Sequence, residues 1–216
     1  LVTIGSGVEL AQEFARRAHA GDIVTYENFG TALVRVDDYH FEFVGARKES
    51  YRKHSRKPLV ENGTLEDDQL RRDFTINALY LDLHPDRYGR LVDAFNGYDD
   101  LVDGIIRTPT DPDITFSDDP LRMLRAIRFG AVLQFFIEEG TFAGIHRNRE
   151  RIKIVSMERI SDELNKMLLA AKPSTGFLMM FKTEILPLIM PEVVALHGVD
   201  EVNGVRHKDN FYHTLK

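Results

Sequence analysis

The segment from Asp118 to Ala131 constrains the fold most, because it separates charged from apolar residues at helical spacing. At about 100° per residue, one half of such a helix is charged and the other half is apolar. The charged half comprises Asp119, Arg122, Arg125 and Arg128, and the apolar half comprises Met123, Leu124, Ile127 and Ala131. The pattern predicts a helix from Asp119 to Phe135 with one packed face and one face that presents ions.

Two interpretations of the charged face follow from the residues alone. Ser117 or Asp118 can cap the predicted helix, and Pro120 is tolerated in a first turn. Three arginines in register supply guanidinium forks that match phosphate or a base edge and keep their charge. The alternative is a solvated face stabilised by an Asp119–Arg122 pair one turn apart.

A second charged segment lies at Arg71–Asp73, directly before the run Phe74–Leu79. The apolar members of that run would bury the backbone beneath the charges, which places the charges at the rim of a pocket. Arg72 is suited to hold phosphate, and Asp73 is suited to accept from a sugar hydroxyl. The alternative is an Arg72–Asp73 pair that fixes a turn.

Four segments closely resemble, in order, spacing and content, motifs of the bacterial-type (class II) tRNA nucleotidyltransferase and poly(A) polymerase family. They are Phe41–Tyr51, Arg71–Leu79, Asp118–Phe129 and Glu158–Leu164. The resemblance implies an enzyme that adds CMP and AMP to the 3′ end of tRNA without a template, from CTP and ATP. The alternatives are a poly(A) polymerase, or a fragment that binds RNA or nucleotide without catalysis.

By position, the resemblance assigns nucleotide binding to Arg72, Asp73, Asp119, Arg122, Arg125 and Arg128. The first two match the pair that binds nucleotide and reads the ribose. Asp119 and Arg122 match the pair that hydrogen-bonds the base edge, and the last two arginines match further nucleotide contacts along the same helix. The segment Glu158–Leu164 matches a brace of the helical neck and is assigned no chemistry.

The chain departs from the family pattern at its beginning. The family's head domain opens with a glycine-rich loop and an Asp-x-Asp pair that holds two Mg²⁺ ions, and the resemblance puts both before Leu1. Phosphoryl transfer depends on such metal ions. The resemblance implies that Glu42 is the third carboxylate, catalytic and metal-binding. Alternation on a strand places Glu42 on the side opposite Phe41 and Phe43; the alternative is an exposed strand glutamate. The chain alone is therefore expected to be inactive, and its parent is expected to be a Mg²⁺-dependent enzyme.

Charge distribution favours an RNA partner more than the net charge of −6 does. Residues 47–57 carry six positive charges and one negative charge, and a local basic stretch binds phosphates whatever the total charge is. The predicted RNA-binding residues are Arg47, Lys48, Arg52, Lys53, Arg56 and Lys57. A solvated loop is the alternative, and Pro58, Asn62 and Gly63 predict loop from residue 52 to residue 68.

The predicted fold class is α+β: a truncated polymerase-β-like nucleotidyltransferase head, with a mixed sheet and helices, followed by an all-helical neck and body. The head is assigned to 1–84, a connector to 85–117, the RNA- and nucleotide-binding helical body to 118–198, and the start of an HD-type domain to 199–216. A hydrophobic content of 43% suffices for a core. The absence of cysteine excludes a disulfide scaffold, and no apolar run is long enough to span a membrane, which predicts a cytoplasmic protein.

Periodicity predicts the individual elements. The strands are Thr31–Val36, Tyr39–Ala46 and Ala78–Leu83; the further helices are Val8–His19, Glu138–Asn148, Arg151–Ile154, Ser156–Ala170, Thr175–Thr183 and Ile185–Met190. Ser156 is expected to cap its helix through the N–H of Arg159. Breaks are expected at Gly140, Pro173, Pro187 and Pro191. His213 is either a metal ligand of the HD-type segment or polar surface.

Overall fold

The computed structural model describes residues 1–26, 30–50, 59–199, 201–202, 205–206 and 209–216. The chain forms two compact units, Leu1–Arg72 and Asp73–Lys216, and each has a hydrophobic core of its own. A mixed sheet in the first unit and a predominance of helix in the second confirm the predicted α+β class. Within the described ranges, no helix combines the length and the apolar character that crossing a membrane requires.

The first unit is built on a four-stranded sheet. Its elements are β1 (Val2–Thr3), α1 (Gly7–Ala18), β2 (Asp22–Tyr26), β3 (Thr31–Val36), β4 (Tyr39–Gly45), β5 (Arg47–Ser50), β6 (Leu59–Asn62) and α2 (Leu65–Leu70). The strand order is β1–β4–β3–β2, with β1 parallel to β4 and the other neighbours antiparallel. Strands β5 and β6 form a separate antiparallel pair.

Helix α1 covers one face of this sheet. Ala11 and Ala15 of α1 are buried against the strands, where small side chains let the helix approach closely. The ring of Phe14 lies 5.0 Å from that of Phe41 and 5.1 Å from that of Phe43. The alternation predicted for β4 is confirmed, because Glu42 lies between these two phenylalanines and is exposed on the opposite face.

The loop predicted for residues 52–68 is wrong for its described part, which contains β6 and the start of α2. The side chain of Thr64 accepts the backbone N–H of Asp67, and the Asp67 carboxylate accepts the backbone N–H of Thr64. This reciprocal capping box starts a helix directly after the turn residues. Asn62 and Gly63 therefore mark a short turn and not a long loop.

The second unit is mainly helical. Its elements are β7 (Tyr80–Leu81), β8 (Leu91–Val92), α3 (Gly97–Asp103), β9 (Ile105–Ile106), α4 (Pro112–Asp118), α5 (Leu121–Leu133), β10 (Phe136–Ile137), α6 (Glu139–Asn148), α7 (Met157–Leu168), α8 (Pro173–Lys182), α9 (Leu186–Ile189), α10 (Pro191–Val194), β11 (Glu201–Val202), β12 (Val205–Arg206) and α11 (Asn210–Thr214). Short 3-10 helices occupy Thr75–Asn77, Pro85–Arg87 and Arg149–Ile154. Helix α5 lies at the centre and packs against both α7 and α8.

The apolar half predicted for α5 is the half that enters the core. Met123, Leu124 and Ile127 are fully buried, and Ala131 is almost so. Phe74 belongs to the same cluster, as do buried residues from α4, α6, α7 and α8. Residues 73–84, assigned to the head from sequence, therefore lie in the second compact unit, whereas the domain boundaries of 1–84, 85–117, 118–198 and 199–216 stay predictions.

The predicted start of the central helix is wrong. Helix α4 ends at Asp118, α5 begins at Leu121, and Asp119 between them has extended backbone angles (φ −133°, ψ 101°). A proline disfavours the helical conformation of the residue before it, so Pro120 forces this break. The helix predicted from Asp119 to Phe135 therefore begins two residues later, at Leu121, and ends at Leu133.

Other predicted elements differ in detail. The strand at Ala78–Leu83 is reduced to Tyr80–Leu81, and no side chain of the described residues caps α7, so Ser156 does not have its expected role. Gly140 lies inside α6 because the carboxylate of Glu138 accepts its N–H and that of Thr141, which starts the helix there. The expected breaks at Pro173 and Pro191 are confirmed, since each is the first residue of a helix, where its missing N–H has no cost.

Candidate functional site

Asp119 presents its carboxylate from the break between α4 and α5. One oxygen, Oδ1, accepts the backbone N–H of Leu121 at 3.2 Å, and Oδ2 accepts from Nη2 of Arg159 at 3.2 Å. The side chain of Asp119 keeps 22% of its surface exposed. The carboxylate is therefore oriented by two donors and still reaches solvent.

Arg122 lies one turn beyond Asp119 on the same segment. Its backbone N–H donates to the Asp119 carbonyl at 3.0 Å, and its Nη1 lies 3.5 Å from the carbonyl oxygen of Thr115, a long hydrogen bond. The side chain is partly buried. A carboxylate acceptor and a guanidinium donor thus both belong to the short segment at the start of α5.

Asp73 is a buried carboxylate held by donors from Phe74, Asn77 and Arg125. Its Oδ1 accepts the backbone N–H of Phe74 at 3.0 Å and the Asn77 side-chain amide at 2.9 Å. Its Oδ2 accepts from Nε and Nη2 of Arg125 at 2.8 and 2.6 Å, so the guanidinium binds it through two nitrogens. Asp73 therefore pairs with Arg125, whose guanidinium comes from α5.

Arg128 joins two helices of the second unit. Its Nε lies 2.5 Å from Oε2 of Glu163 on α7, and the two side chains are 13% and 4% exposed. The guanidinium also stacks over the ring of Phe129, 4.1 Å from its centroid. This pair is a buried link between α5 and α7.

Arg72 is the one predicted nucleotide-binding residue that lies in the first unit. Its Nη2 is 2.7 Å from Oδ2 of Asp68, and Nε of Arg71 is 2.9 Å from Oδ1 of the same carboxylate. The Asp68 side chain is fully buried. Two neighbouring arginines are thus oriented by one buried carboxylate at the end of α2.

Glu42 and Arg47 line an open cavity of about 460 Å³ on the sheet of the first unit. Tyr26, Thr31 and Leu33 form the rest of its lining. The cavity lies on the face of the sheet opposite α1, since Leu33 pairs with Glu42 across the β3–β4 ladder. Glu42 is exposed there, in agreement with either interpretation of this residue from sequence.

Comparisons with known proteins match both units. Residues 1–107 match the family model for the poly A polymerase head domain, and residues 134–196 match the model for the probable RNA and SrmB-binding site of polymerase A. A CCA-adding enzyme of Lactobacillus helveticus is 39% identical over 177 residues, which are 80% of this chain and 43% of that protein. The chain belongs to the tRNA nucleotidyltransferase and poly(A) polymerase family.

Two further relatives match most of this chain but only part of their own length. An A-adding tRNA nucleotidyltransferase of Aquifex aeolicus is 41% identical over 140 residues, 65% of this chain and 17% of that protein. The crystal structure of a tRNA nucleotidyltransferase complexed with a primer tRNA and an incoming ATP analog is 30% identical, with a TM-score of 0.74, over 90% of this chain and 56% of that one. The chain spans less than half the length of the two curated relatives from Lactobacillus helveticus and Aquifex aeolicus.

Members of this family use nucleoside triphosphates, and the resemblance also implies Mg²⁺. Among the described residues, no group of three or more His, Asp or Glu side chains is placed to hold a metal ion. Glu42 contributes a single carboxylate to a cavity that the cationic Arg47 also lines. Because a two-metal site needs several oxygen ligands, these residues by themselves do not fit one. His213 is exposed on α11 and joins no such group within the described ranges either.

The predicted RNA-binding set is only partly described. Arg47 and Lys48 lie on β5, where they pair with Asn62 and Glu61 of β6. Arg52, Lys53, Arg56 and Lys57 lie outside the described residues. The RNA-binding assignment of all six residues stays a prediction.

Three residues that sequence reasoning did not assign to a site each contact one of the predicted nucleotide-binding residues. Asp68 orients Arg72, Glu163 binds Arg128, and Arg159 binds Asp119. The last two lie in the family segment Glu158–Leu164, interpreted from sequence as a brace. The family motif predicted a structural role for this segment. It did not predict that Glu163 binds Arg128 or that Arg159 binds Asp119, because both contacts depend on the packing of α7 against α5.

Proposed function

We propose that the whole protein is a template-independent nucleotidyltransferase that adds CMP and AMP from CTP and ATP to the 3′ end of tRNA, and that the start of α5 selects the base. The observation on which this proposal rests is a partly exposed acceptor, Asp119, followed one turn later on the same segment by a donor, Arg122. Membership of the family supplies the reaction class.

The chemistry of the bases explains why an Asp–Arg pair suits CTP and ATP. Cytosine and adenine each present an amino group beside an unprotonated ring nitrogen, whereas uracil and guanine present a carbonyl beside a ring N–H. A carboxylate accepts from an amino group, and a guanidinium donates to a ring nitrogen. Asp119 and Arg122 therefore complement the two amino bases and oppose the two others.

The remaining nucleotide contacts are proposed from the match of these residues to the family motifs. Asp73 is proposed to accept from a ribose hydroxyl, and Arg72 to bind phosphate. Arg125 and Arg128 already bind carboxylates, but a guanidinium carries five N–H donors, which leaves donors of each for a nucleotide. Buried carboxylate partners hold these arginines in fixed directions.

The proposal also assigns residues that bind Mg²⁺ and RNA. Glu42 is proposed as one carboxylate for Mg²⁺, and residues Arg47, Lys48, Arg52, Lys53, Arg56 and Lys57 are proposed to bind RNA phosphates. A member of the family has been solved with a primer tRNA and an ATP analog, and another with CTP, which supports these partners for the present chain. Glu42 would supply one ligand of a metal site and not the whole site, since the described residues hold no cluster of His, Asp and Glu around it.

The activity is tested with the whole protein, Mg²⁺, and tRNA that lacks its terminal CCA. We expect incorporation of CMP and AMP and little incorporation of UMP or GMP. Arg122→Ala is expected to raise misincorporation of UMP at least tenfold relative to CMP, since a lost charged hydrogen bond in a site is worth roughly 1.5–3 kcal/mol, with no comparable loss in the unfolding temperature. Unchanged base preference in this variant would refute the role of Arg122.

Addition of AMP alone is the second candidate activity. It is favoured by the similarity to an A-adding tRNA nucleotidyltransferase and by the match to the poly A polymerase head domain. The same assay separates the two candidates when tRNA ending in CC is supplied together with tRNA that lacks CCA. Extension of the first substrate only would assign A addition, and extension of both in the presence of CTP and ATP would assign CCA addition.

A further inference from the structure

The contact between Arg159 and Asp119 connects two segments that lie 40 residues apart. Arg159 stands in the first turn of α7, and its Nη2 lies 3.2 Å from Oδ2 of Asp119. Its side chain is 43% exposed. An ion pair this exposed contributes little to stability, so its structural value alone is small.

The geometry of the contact restricts the Asp119 carboxylate. The Leu121 N–H binds one oxygen and Arg159 binds the other, so both oxygens are tied to different elements. Without Arg159, the carboxylate would keep one donor at the start of α5 and would be able to turn about that contact. With Arg159, the plane of the carboxylate is fixed, and the unused lone pairs point in defined directions.

Helix α7 is fixed against α5 by a buried side chain and a buried ion pair, both close to Arg159. One residue beyond Arg159, Ile160 is buried in the core at 2% exposure. One turn further, Glu163 forms the buried pair with Arg128 of α5 at 2.5 Å. The position of Arg159 relative to Asp119 is therefore set by the packing of α7 on α5.

We propose that Arg159 is a specificity-determining positioning residue, which fixes the orientation of the base-reading carboxylate Asp119 and so sets the preference for amino bases. This inference rests on the proposed base-selecting role of Asp119. Arg159 acts through Asp119 and does not itself contact the nucleotide. Its loss lets the carboxylate turn, which weakens discrimination against uracil and guanine more than it weakens binding of the triphosphate.

The test compares kcat/KM for CTP and UTP, and for ATP and GTP, in the whole protein and in Arg159→Ala. A partly exposed charged pair corresponds to about a two- to fivefold effect, so we expect the CTP-to-UTP preference to fall by that factor. The loss is expected in the base preference, with the unfolding temperature changed by no more than about 2 °C. Arg159→Lys, which keeps the charge, is expected to retain part of the preference.

Lys166→Ala is the control, because Lys166 is another exposed cation of α7; it pairs with Asp162 at 2.6 Å and lies 3.6 Å from Glu163, both of the same helix. It is expected to leave the base preference unchanged. An equal loss of preference in both variants would assign the effect to the stability of α7 and overturn the proposal.

A double-mutant cycle with Asp119→Asn separates positioning from support of the helix. If Arg159 acts through Asp119, Arg159→Ala has no further effect on base preference in the Asp119→Asn background. An undiminished additional effect would contradict the proposal. Absence of any base preference in the unaltered protein would refute the proposed function itself, whereas a base preference in Arg159→Ala equal to that of the unaltered protein would refute the role of Arg159 alone.

Discussion

At the scale of single residues, the arginine face of α5 is engaged by carboxylates from distant segments. Arg125 binds Asp73 across 52 residues of sequence, and Arg128 binds Glu163 across 35. Both carboxylates are buried, so their negative charges need these partners. The arginines thus have a structural function in addition to any contact with a nucleotide.

Glu163→Ala tests the structural part of this arrangement. Removal of one member of a buried pair leaves the other charge uncompensated, and we expect the free energy of unfolding to fall by about 3 kcal/mol. Chemical denaturation monitored by circular dichroism measures this loss. Asp162→Ala, which removes an exposed carboxylate from the same helix, is the control and is expected to change stability little. Similar stabilities of the two variants would contradict the assignment of Glu163 as a buried link.

The composition of the arginine face was predictable from sequence, but its partners were not. Helical spacing alone identified which side of α5 carries Arg122, Arg125 and Arg128, and the burial of Met123 and Leu124 confirms it. The pairs with Asp73 and Glu163 depend on how separate elements pack. Local periodicity contains no information about such long-range contacts.

At the scale of elements, short polar signals determine where helices begin and end. Pro120 separates α4 from α5 and leaves Asp119 extended, where its carboxylate reaches solvent. The Thr64–Asp67 capping box starts α2 in a stretch whose turn residues favoured a loop. The strands β3 and β4, in contrast, were predicted almost to the residue, because alternation against α1 extends over their whole length.

Glu138 caps the N-terminus of α6, and the pH dependence of stability tests whether its charge supports this helix. Burial raises the pKa of this carboxyl, but the N–H groups of Gly140 and Thr141, the Thr141 hydroxyl and the charge of Arg107 together bring it below its usual value. A lowered pKa in the folded state means that the ionised group stabilises the protein above the pKa of the unfolded state. That contribution is lost as the pH falls through the folded value.

We therefore expect Glu138→Gln to be less stable than the unaltered chain at neutral pH, with a difference that shrinks as the pH falls below about 4. Urea denaturation at a series of pH values measures the difference in the free energy of unfolding. A difference that stays constant from pH 7 to the acid end would show that the charge of Glu138 does not support α6.

At the scale of the whole molecule, the predicted residues divide between two compact units with separate cores. Glu42 and Arg72 lie in the first unit, and Asp73, Asp119 and Arg122 lie in the second. The fold class followed from the sequence because strand alternation and helical periodicity change near the middle of the chain. The boundary of the first compact unit at Arg72 did not follow from the sequence. Phe74 is close in sequence to the first unit, but its side chain is buried in the helical core of the second.

The central claim is that the second unit selects amino bases through Asp119 and Arg122. Equilibrium dialysis of the 216-residue chain against labelled CTP, ATP, UTP and GTP tests it directly, since binding requires no catalysis. We expect CTP and ATP to bind more tightly than UTP and GTP, and Asp119→Ala to remove this difference while the weaker binding common to all four triphosphates remains. Equal binding of all four nucleotides by the unaltered chain, or an unchanged preference in Asp119→Ala, would contradict the claim.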